Sequence, residues 1–218
     1  MQLSYTTVLI LSFSGYIVGI IGLIKFKQIR DVYRPFIYLI WIGCVADALS
    51  LYFALVYRNN LGVGTIYRLC ESLFLLWFFY RLGIFKNHKL LYSLGGIFII
   101  IWIVDNFFNS RFNVRVTYFF DVIYALSIVL LSVSVINQLL FTERELLKNP
   151  TFLICAGLII YFTYKIIERL FGLYGLKSSM DFRRSVQTIL LLINCFANLI
   201  YALAVVWMRK RQPFTLKF

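Results

Sequence analysis

Charged residues are scarce in this chain. Only 14% of its 218 residues are Asp, Glu, Lys or Arg, whereas ordinary soluble domains carry about 25%. Hydrophobic residues make up 61% of the chain, and the mean hydropathy is +0.84. This composition excludes an ordinary soluble domain. The short segments between the apolar runs leave no room for a separate catalytic or DNA-binding domain.

Histidine and paired cysteines, the usual residues of metal and redox sites, are almost absent. His88 is the only histidine and lies in a predicted loop, which excludes a His-rich metal or haem site. No CxxC pair occurs among Cys44, Cys70, Cys155 and Cys195, so neither a disulfide framework nor a metal site is indicated. We therefore expect no metal and no cofactor.

Seven long apolar runs fill the chain almost from end to end. A membrane-spanning helix needs about 20 mostly apolar residues, whereas a strand of a membrane barrel needs only about 10 alternating ones. The predicted helices cover residues 5–24, 36–57, 62–85, 90–108, 115–140, 151–172 and 185–208. The sequence thus predicts an all-α, polytopic membrane protein. We expect residues 1–218 to form a single domain, a seven-transmembrane-helix bundle.

Lys and Arg residues flank the predicted helices unevenly. Thirteen of the 22 lie at one set of helix ends and six at the other. Because cytoplasmic loops are enriched in Lys and Arg, the N-terminus is predicted outside and the C-terminus in the cytoplasm. We expect the inner (plasma) membrane of a bacterium. Anionic lipid headgroups explain the net charge of +13, so the lipid bilayer, and no nucleic acid, is the expected partner of these residues.

Eight charged side chains lie inside the predicted helices, most of them in the outer half. An unpaired charge in the hydrocarbon costs on the order of 2.5–3.5 kcal/mol. Such residues are therefore expected to face the bundle interior, to form ion pairs or to reach water. They are Asp47, Arg68, Glu71, Asp105, Asp121, Lys165, Glu168 and Arg169.

Helical periodicity places most of these charges on faces shared with small and polar residues. The faces carry Gly43, Asp47, Ser50 and Ala54 on the second helix, Gly64, Arg68 and Glu71 on the third, Tyr161, Lys165, Glu168 and Gly172 on the sixth, and Gln187, Asn194, Asn198 and Tyr201 on the seventh. We predict that they surround a polar cavity open to the outside. Its predicted ligand-binding residues are Asp47, Arg68, Glu71, Asp121, Tyr161, Lys165, Glu168, Arg169, Asn194 and Asn198.

Charge pairs are expected inside this cluster. Arg68 with Glu71, and Lys165 with Glu168, are i, i+3 neighbours that can neutralise each other on one helix. Lys165 and Arg169 repel each other at i, i+4 and need an acid from another helix. The second and third helices each supply one candidate for this acid.

The acid expected to pair with these two basic residues is Asp47 of the second helix or Glu71 of the third. The remaining acids, Asp105 and Asp121, lie near predicted helix ends, and we expect them to reach interfacial water. A purely structural ion-pair network is the alternative to a cavity, because polar side chains between membrane helices often serve only to hold helices together.

Three function classes fit this arrangement. The first is a receptor or sensor-accessory protein that binds a small polar or zwitterionic ligand. Arg68, Lys165 and Arg169 would meet an anionic group of the ligand and the carboxylates an amine. A membrane or cytoplasmic signalling partner would then read the helix movement, because the chain has no output domain. We prefer this class.

The other two classes are an enzyme and a transporter. An enzyme would act on lipid headgroups, with carboxylates such as Asp47 and Glu71 as general acid and base. No nucleophile elbow and no HExxH motif supports it. A small-solute or proton-coupled transporter fits the buried acids, but the spans contain neither the internal repeats nor the broken helices typical of many transporters.

Overall fold

The computed structural model describes residues 11, 13–85, 87–109, 118–143, 145–173 and 180–208. Most of their backbone is helical, and these ranges contain no β-strand. The α-helices are α1 (Ser14–Lys25), α2 (Arg34–Tyr57), α3 (Leu61–Arg81), α4 (His88–Ile103), α5 (Tyr118–Thr142), α6 (Pro150–Leu173) and α7 (Met180–Trp207). Six of them, α2 to α7, are long and apolar enough to cross a membrane, α4 when it is counted together with the π-helical residues that follow it. A helix suits the hydrocarbon core because it satisfies its own backbone hydrogen-bonding groups. The six apolar helices therefore make the chain a helical integral membrane protein.

The prediction of an all-α membrane bundle is therefore confirmed. The described part of α1 is only 12 residues long, so a seventh crossing and the orientation of the bundle stay predictions. The predicted starts of the first and fifth helices, at residues 5 and 115, lie outside the described residues.

Helix ends differ from the predicted ones where local backbone chemistry intervenes. The third helix was predicted to reach residue 85 but ends at Arg81, because Gly83 adopts a left-handed φ of +84°. The Gly83 amide donates to the carbonyl of Tyr80 at 2.9 Å, which closes the helix end. After α4, the π-helix Val104–Asn109 continues the chain to a point one residue beyond the predicted end.

Prolines and a left-handed residue fix other helix ends. Pro35 lies in the first turn of α2, and Pro150 is the first residue of α6. A proline is tolerated there because the first backbone amides of a helix have no partner within it. Arg58, with a φ of 53°, ends α2 in the left-handed conformation.

The helices form a closed ring in chain order. Each helix packs against the next, α7 packs against α1, and α3 also contacts α5. Glycines let α1 approach α2 closely: a Cβ on Gly19 would lie 3.2 Å from Cys44 Sγ, and one on Gly22 would lie 3.4 Å from Ile37 Cγ2. The ring brings polar faces of α2, α3, α5, α6 and α7 towards one interior.

Aromatic side chains fill much of this interior, and apolar side chains cover the outside. Phe36, Phe78 and Phe162 are at most 2% exposed. Large exposed apolar side chains occur on all seven helices, among them Leu55 and Phe141. A soluble monomer rarely exposes large apolar patches, whereas lipid covers such a surface in a membrane.

Candidate functional site

Charged side chains of α3, α5 and α6 meet in two layers, one helical turn apart. The Glu71 layer consists of Glu71, Tyr124 and Lys165. The Asp121 layer consists of Arg68, Asp121, Glu168 and Arg169. Because each layer takes residues from all three helices, the two layers hold this side of the ring together.

In the Glu71 layer, one carboxylate oxygen accepts two buried donors. Lys165 Nζ lies 3.0 Å from Glu71 Oε2, and the Tyr124 hydroxyl donates to the same oxygen at 2.6 Å. Lys165 also donates to the Tyr124 hydroxyl oxygen. The other carboxylate oxygen, Oε1, accepts from the Tyr67 hydroxyl at 3.5 Å. Charge-assisted hydrogen bonds of this kind are stronger than neutral ones.

Aromatic rings surround the ammonium group of Lys165. Its Nζ lies 5.0 Å from the ring centroid of Tyr124, 5.4 Å from that of Tyr161 and 5.1 Å from that of Phe162. These distances are within the range of cation–π attraction. The positive charge of Lys165 is therefore held by protein groups.

In the Asp121 layer, one aspartate joins two arginines from different helices. Arg68 Nε lies 3.2 Å from Asp121 Oδ1, and Arg169 Nε lies 3.0 Å from Asp121 Oδ2. Arg169 Nε also lies 3.2 Å from Glu168 Oε2, and Arg68 donates to Thr65 Oγ1 at 2.9 Å. The side chain of Asp121 is 0% exposed, and those of Arg68, Glu168 and Arg169 are 16–18% exposed. The two arginines of the layer balance its two acids.

The ion pairs cross between helices where pairs within a helix were predicted. Arg68 meets Asp121 instead of Glu71, and Lys165 meets Glu71 instead of Glu168. Pairs at i, i+3 on one helix contribute only a few tenths of a kcal/mol, whereas the neighbouring helices supply buried partners. The prediction that Lys165 takes an acid from another helix is confirmed for Glu71.

The expectation that two acids near helix ends reach interfacial water is wrong. Asp121 is fully buried between the arginines, and Asp105 is only 4% exposed. Asp105 lies in the π-helix after α4, and its Oδ2 accepts from the Phe120 backbone amide at 3.0 Å. Because the first amides of a helix lack partners within it, Asp105 stabilises the start of α5.

A cavity of about 160 Å³ adjoins Glu71 in the interior of the ring. Its lining residues come from α1, α2, α3, α6 and α7: Gly15, Phe36, Leu39, Ile40, Gly43, Cys44, Asp47, Tyr67, Glu71, Leu75, Leu158, Tyr161, Phe162, Asn194, Asn198 and Tyr201. One water needs roughly 10–15 Å³, so the cavity has room for several waters or a small solute. None of its lining residues is a Lys, Arg or His.

Asp47 differs from the other four acids predicted inside the helices. It lines the cavity and is exposed, and it forms no hydrogen bond or ion pair with any described residue. The other acids each have a protein partner, namely Lys165 for Glu71, the Phe120 amide for Asp105, Arg68 and Arg169 for Asp121, and Arg169 for Glu168. The predicted partnership of Asp47 with Lys165 or Arg169 is wrong.

Polar contacts between α1 and α7 close the cavity on one side. Asn198 Nδ2 donates to Ser14 Oγ at 2.9 Å, and a Cβ on Gly15 would lie 3.7 Å from the same nitrogen. Tyr201 packs edge-on against Phe36, with the ring centroids 5.1 Å apart. The lining therefore joins the first and last described helices to α2.

The structure divides the predicted site residues into two sets. Asp47, Glu71, Tyr161, Asn194 and Asn198 line the cavity. The others form the two layers beside it: Arg68, Asp121, Lys165, Glu168 and Arg169. Their role in ligand binding stays a prediction.

Two phenols of the site were not among the predicted residues. Tyr124 is one turn from Asp121 on α5, and Tyr67 is one turn from Glu71 on α3. A buried phenol needs an acceptor, so a tyrosine one turn from an intramembrane acid was the available signal.

Within the described ranges, no three His, Cys, Asp or Glu side chains lie close enough to hold a metal ion. Comparisons of the chain with protein-family models, with curated proteins and with solved structures give no match. The fold and the site define a class, a helical integral membrane protein with ion-paired layers beside an interior cavity.

Proposed function

We propose that this chain is a membrane receptor or sensor-accessory protein that binds a small polar ligand in the cavity beside Glu71. The cavity opens to the outside, and a membrane or cytoplasmic partner reads the resulting helix movement. The observation that carries the proposal is the position of Glu71. Its carboxylate lines the cavity and also holds Lys165 and Tyr124 of two other helices.

This position couples occupancy of the cavity to helix packing. A ligand near Asp47 changes the electrostatic field at Glu71, and with it the strength of the contacts to Lys165 and Tyr124. A ligand shifts a conformational equilibrium only as far as it prefers one state. Helices α3, α5 and α6 are the elements whose relative positions these contacts set, so they would carry the signal.

A thermal-unfolding screen tests the proposal. The full chain in lipid nanodiscs is heated with methylammonium, choline, acetate, glycine betaine or glycerol at millimolar concentration. At least one solute is expected to raise Tm, since a ligand at 100 times its Kd stabilises the folded state by about 2.7 kcal/mol. The matched variant Asn194→Leu keeps a similar side-chain shape but removes an amide from the cavity wall, and its shift should be smaller.

Two outcomes would change the proposal. If no solute of the panel shifts Tm, in the wild type or in Asn194→Leu, the binding function is refuted. If the stabilising solute also accumulates inside proteoliposomes in proportion to the protein, the chain is a transporter and not a receptor.

A further inference from the structure

The charges around the cavity leave one carboxylate unmatched. In the two layers, Lys165 balances Glu71, and Arg68 and Arg169 balance Asp121 and Glu168. Of the five acids predicted inside the helices, only Asp47 has no described protein group that neutralises it or hydrogen-bonds to it. An unpaired charge inside a membrane protein needs a partner or water, and the cavity is the space beside this carboxylate.

We infer that the cavity takes a small organic cation whose ammonium group pairs with Asp47. The inference rests on the proposed function and specifies its ligand. It departs from the expectation that basic residues meet an anionic group of the ligand. Arg68, Lys165 and Arg169 are held in ion pairs, and none of them lines the cavity.

An anion would meet the unpaired carboxylate of Asp47 in this cavity and no basic lining residue, since the charge of Glu71 is already balanced by Lys165. A cation meets the opposite field, because like charges repel and opposite charges attract across the short distances of such a space. The charge pattern of the lining therefore discriminates by the sign of the ligand.

Aromatic and amide groups of the lining suit an ammonium group as well. Tyr67 and Tyr201 present aromatic rings, which attract cations through their faces. The side-chain carbonyls of Asn194 and Asn198 are acceptors for N–H groups. The volume of about 160 Å³ limits the ligand to a few carbon atoms around the nitrogen.

Reaction of the native Cys44, which lines the cavity, with two thiol reagents of similar size tests the sign of the charge. One methanethiosulfonate carries an ammonium group and the other a sulfonate. In nanodiscs, peptide mass spectrometry should show that Cys44 prefers the ammonium reagent over the sulfonate reagent. This preference should be on the order of tenfold larger than that of a free thiol in solution. Cys155, which is fully buried, should react with neither reagent and serves as the internal negative control.

Two neutralised acids provide the matched variants. Asp47→Asn should bring the reagent preference of Cys44 down to that of a free thiol. Asp31→Asn, which removes an exposed acid just before α2, should keep the wild-type preference. Since Asp47 has no described partner, Asp47→Asn is expected to fold, and an unchanged Tm without solute verifies this.

A pair of isosteric solutes tests the ligand itself. Choline and 3,3-dimethylbutan-1-ol have the same shape, but only choline is charged. Choline or methylammonium should raise Tm in wild type and in Asp31→Asn but not in Asp47→Asn, and the neutral alcohol should not raise it.

The outcomes separate this inference from the proposed function. An equal Tm shift from the neutral alcohol, or equal labelling by both reagents, refutes the cation while binding stands. A Tm shift with K⁺ as large as the shift with the ammonium ions refutes an organic ligand. If neither reagent labels Cys44 and no solute shifts Tm, the proposed function itself is refuted.

Discussion

Glu71 is the residue at which the cavity and the helix contacts meet. Its Oε2 binds Lys165 and Tyr124, and its Oε1 accepts from Tyr67. Replacing both partners of a buried ion pair by apolar residues is often nearly neutral, whereas removing one partner leaves an uncompensated charge. The behaviour of single and double variants therefore distinguishes a pair that is merely present from one that is required.

Lys165→Met should destabilise the protein strongly. It leaves the carboxylate of Glu71 without its cation in a site where both side chains are less than a tenth exposed, and the expected loss is on the order of 3 kcal/mol. The double variant Lys165→Met with Glu71→Gln should recover most of this loss, because no charge remains. Reversible unfolding in mixed micelles measures the free energy of each variant.

Lys27→Met, which removes an exposed lysine outside the bundle interior, is the control and should leave stability nearly unchanged. Hydrogen bonds between membrane helices contribute about 0.6 kcal/mol on average. A coupling energy between Lys165 and Glu71 no larger than that average would show an ordinary interhelical contact and contradict the prediction.

At this scale the sequence predicted which residues are polar and interior, but not which ones touch. Helical periodicity put Arg68 and Glu71 on one face, and both do face the interior. The partner of Arg68 depends on the rotation of α5 and on its height relative to α3. Neither quantity is visible in one sequence, so the fully buried Asp121 was expected at the interface.

Helix α6 approaches α7 closely at Gly157. A Cβ built on Gly157 would lie 2.5 Å from Cε1 and 3.1 Å from Cζ of Tyr201. The ring of Tyr201 is itself fixed against Phe36 and lines the cavity. The absence of a side chain on α6 therefore sets the distance between two helices that enclose the site.

Gly157→Ala should destabilise the bundle by about 1–3 kcal/mol, the usual cost of overpacking a filled interior. Gly96→Ala on α4 is the matched control, because nothing lies within 4 Å of its Cβ position. Alanine favours a helix over glycine by about 0.5–1 kcal/mol, so this control should be neutral or slightly stabilising. Unfolding free energies of the two variants that agree within error would contradict the close packing of α6 on Tyr201.

Helix positions were predictable because a span is set by the length and apolarity of a run, and α2 to α7 lie within a few residues of the predicted ranges. The ends were less predictable, because they depend on single backbone conformations such as that of Gly83. The missed Tyr124 and the π-helix at Asp105 have a related cause. Both involve contacts between helices that no periodicity within one helix encodes.

For the whole molecule, the contact of α7 with α1 closes the ring and makes the cavity an interior space. Ser14 and Gly15 of α1 complete the wall through Asn198. If α1 crosses the membrane like the other six helices, the two ends of the chain lie on opposite sides. The question is therefore on which side of the membrane each end lies, because the answer decides both whether α1 crosses and on which side the cavity opens.

Reporters at both ends of the chain answer it. We expect a fluorescent protein that folds only in the cytoplasm to give signal when fused after Phe218, because Lys and Arg concentrate on that side. An epitope tag before Met1 should bind antibody on intact spheroplasts. A phosphatase active only outside, fused after Asn60, is the matched control for the opposite face. Phosphatase activity from a stable Phe218 fusion would reverse the bundle and turn Asp47 and the Asp121 layer towards the cytoplasm, where the ligand would have to be sought.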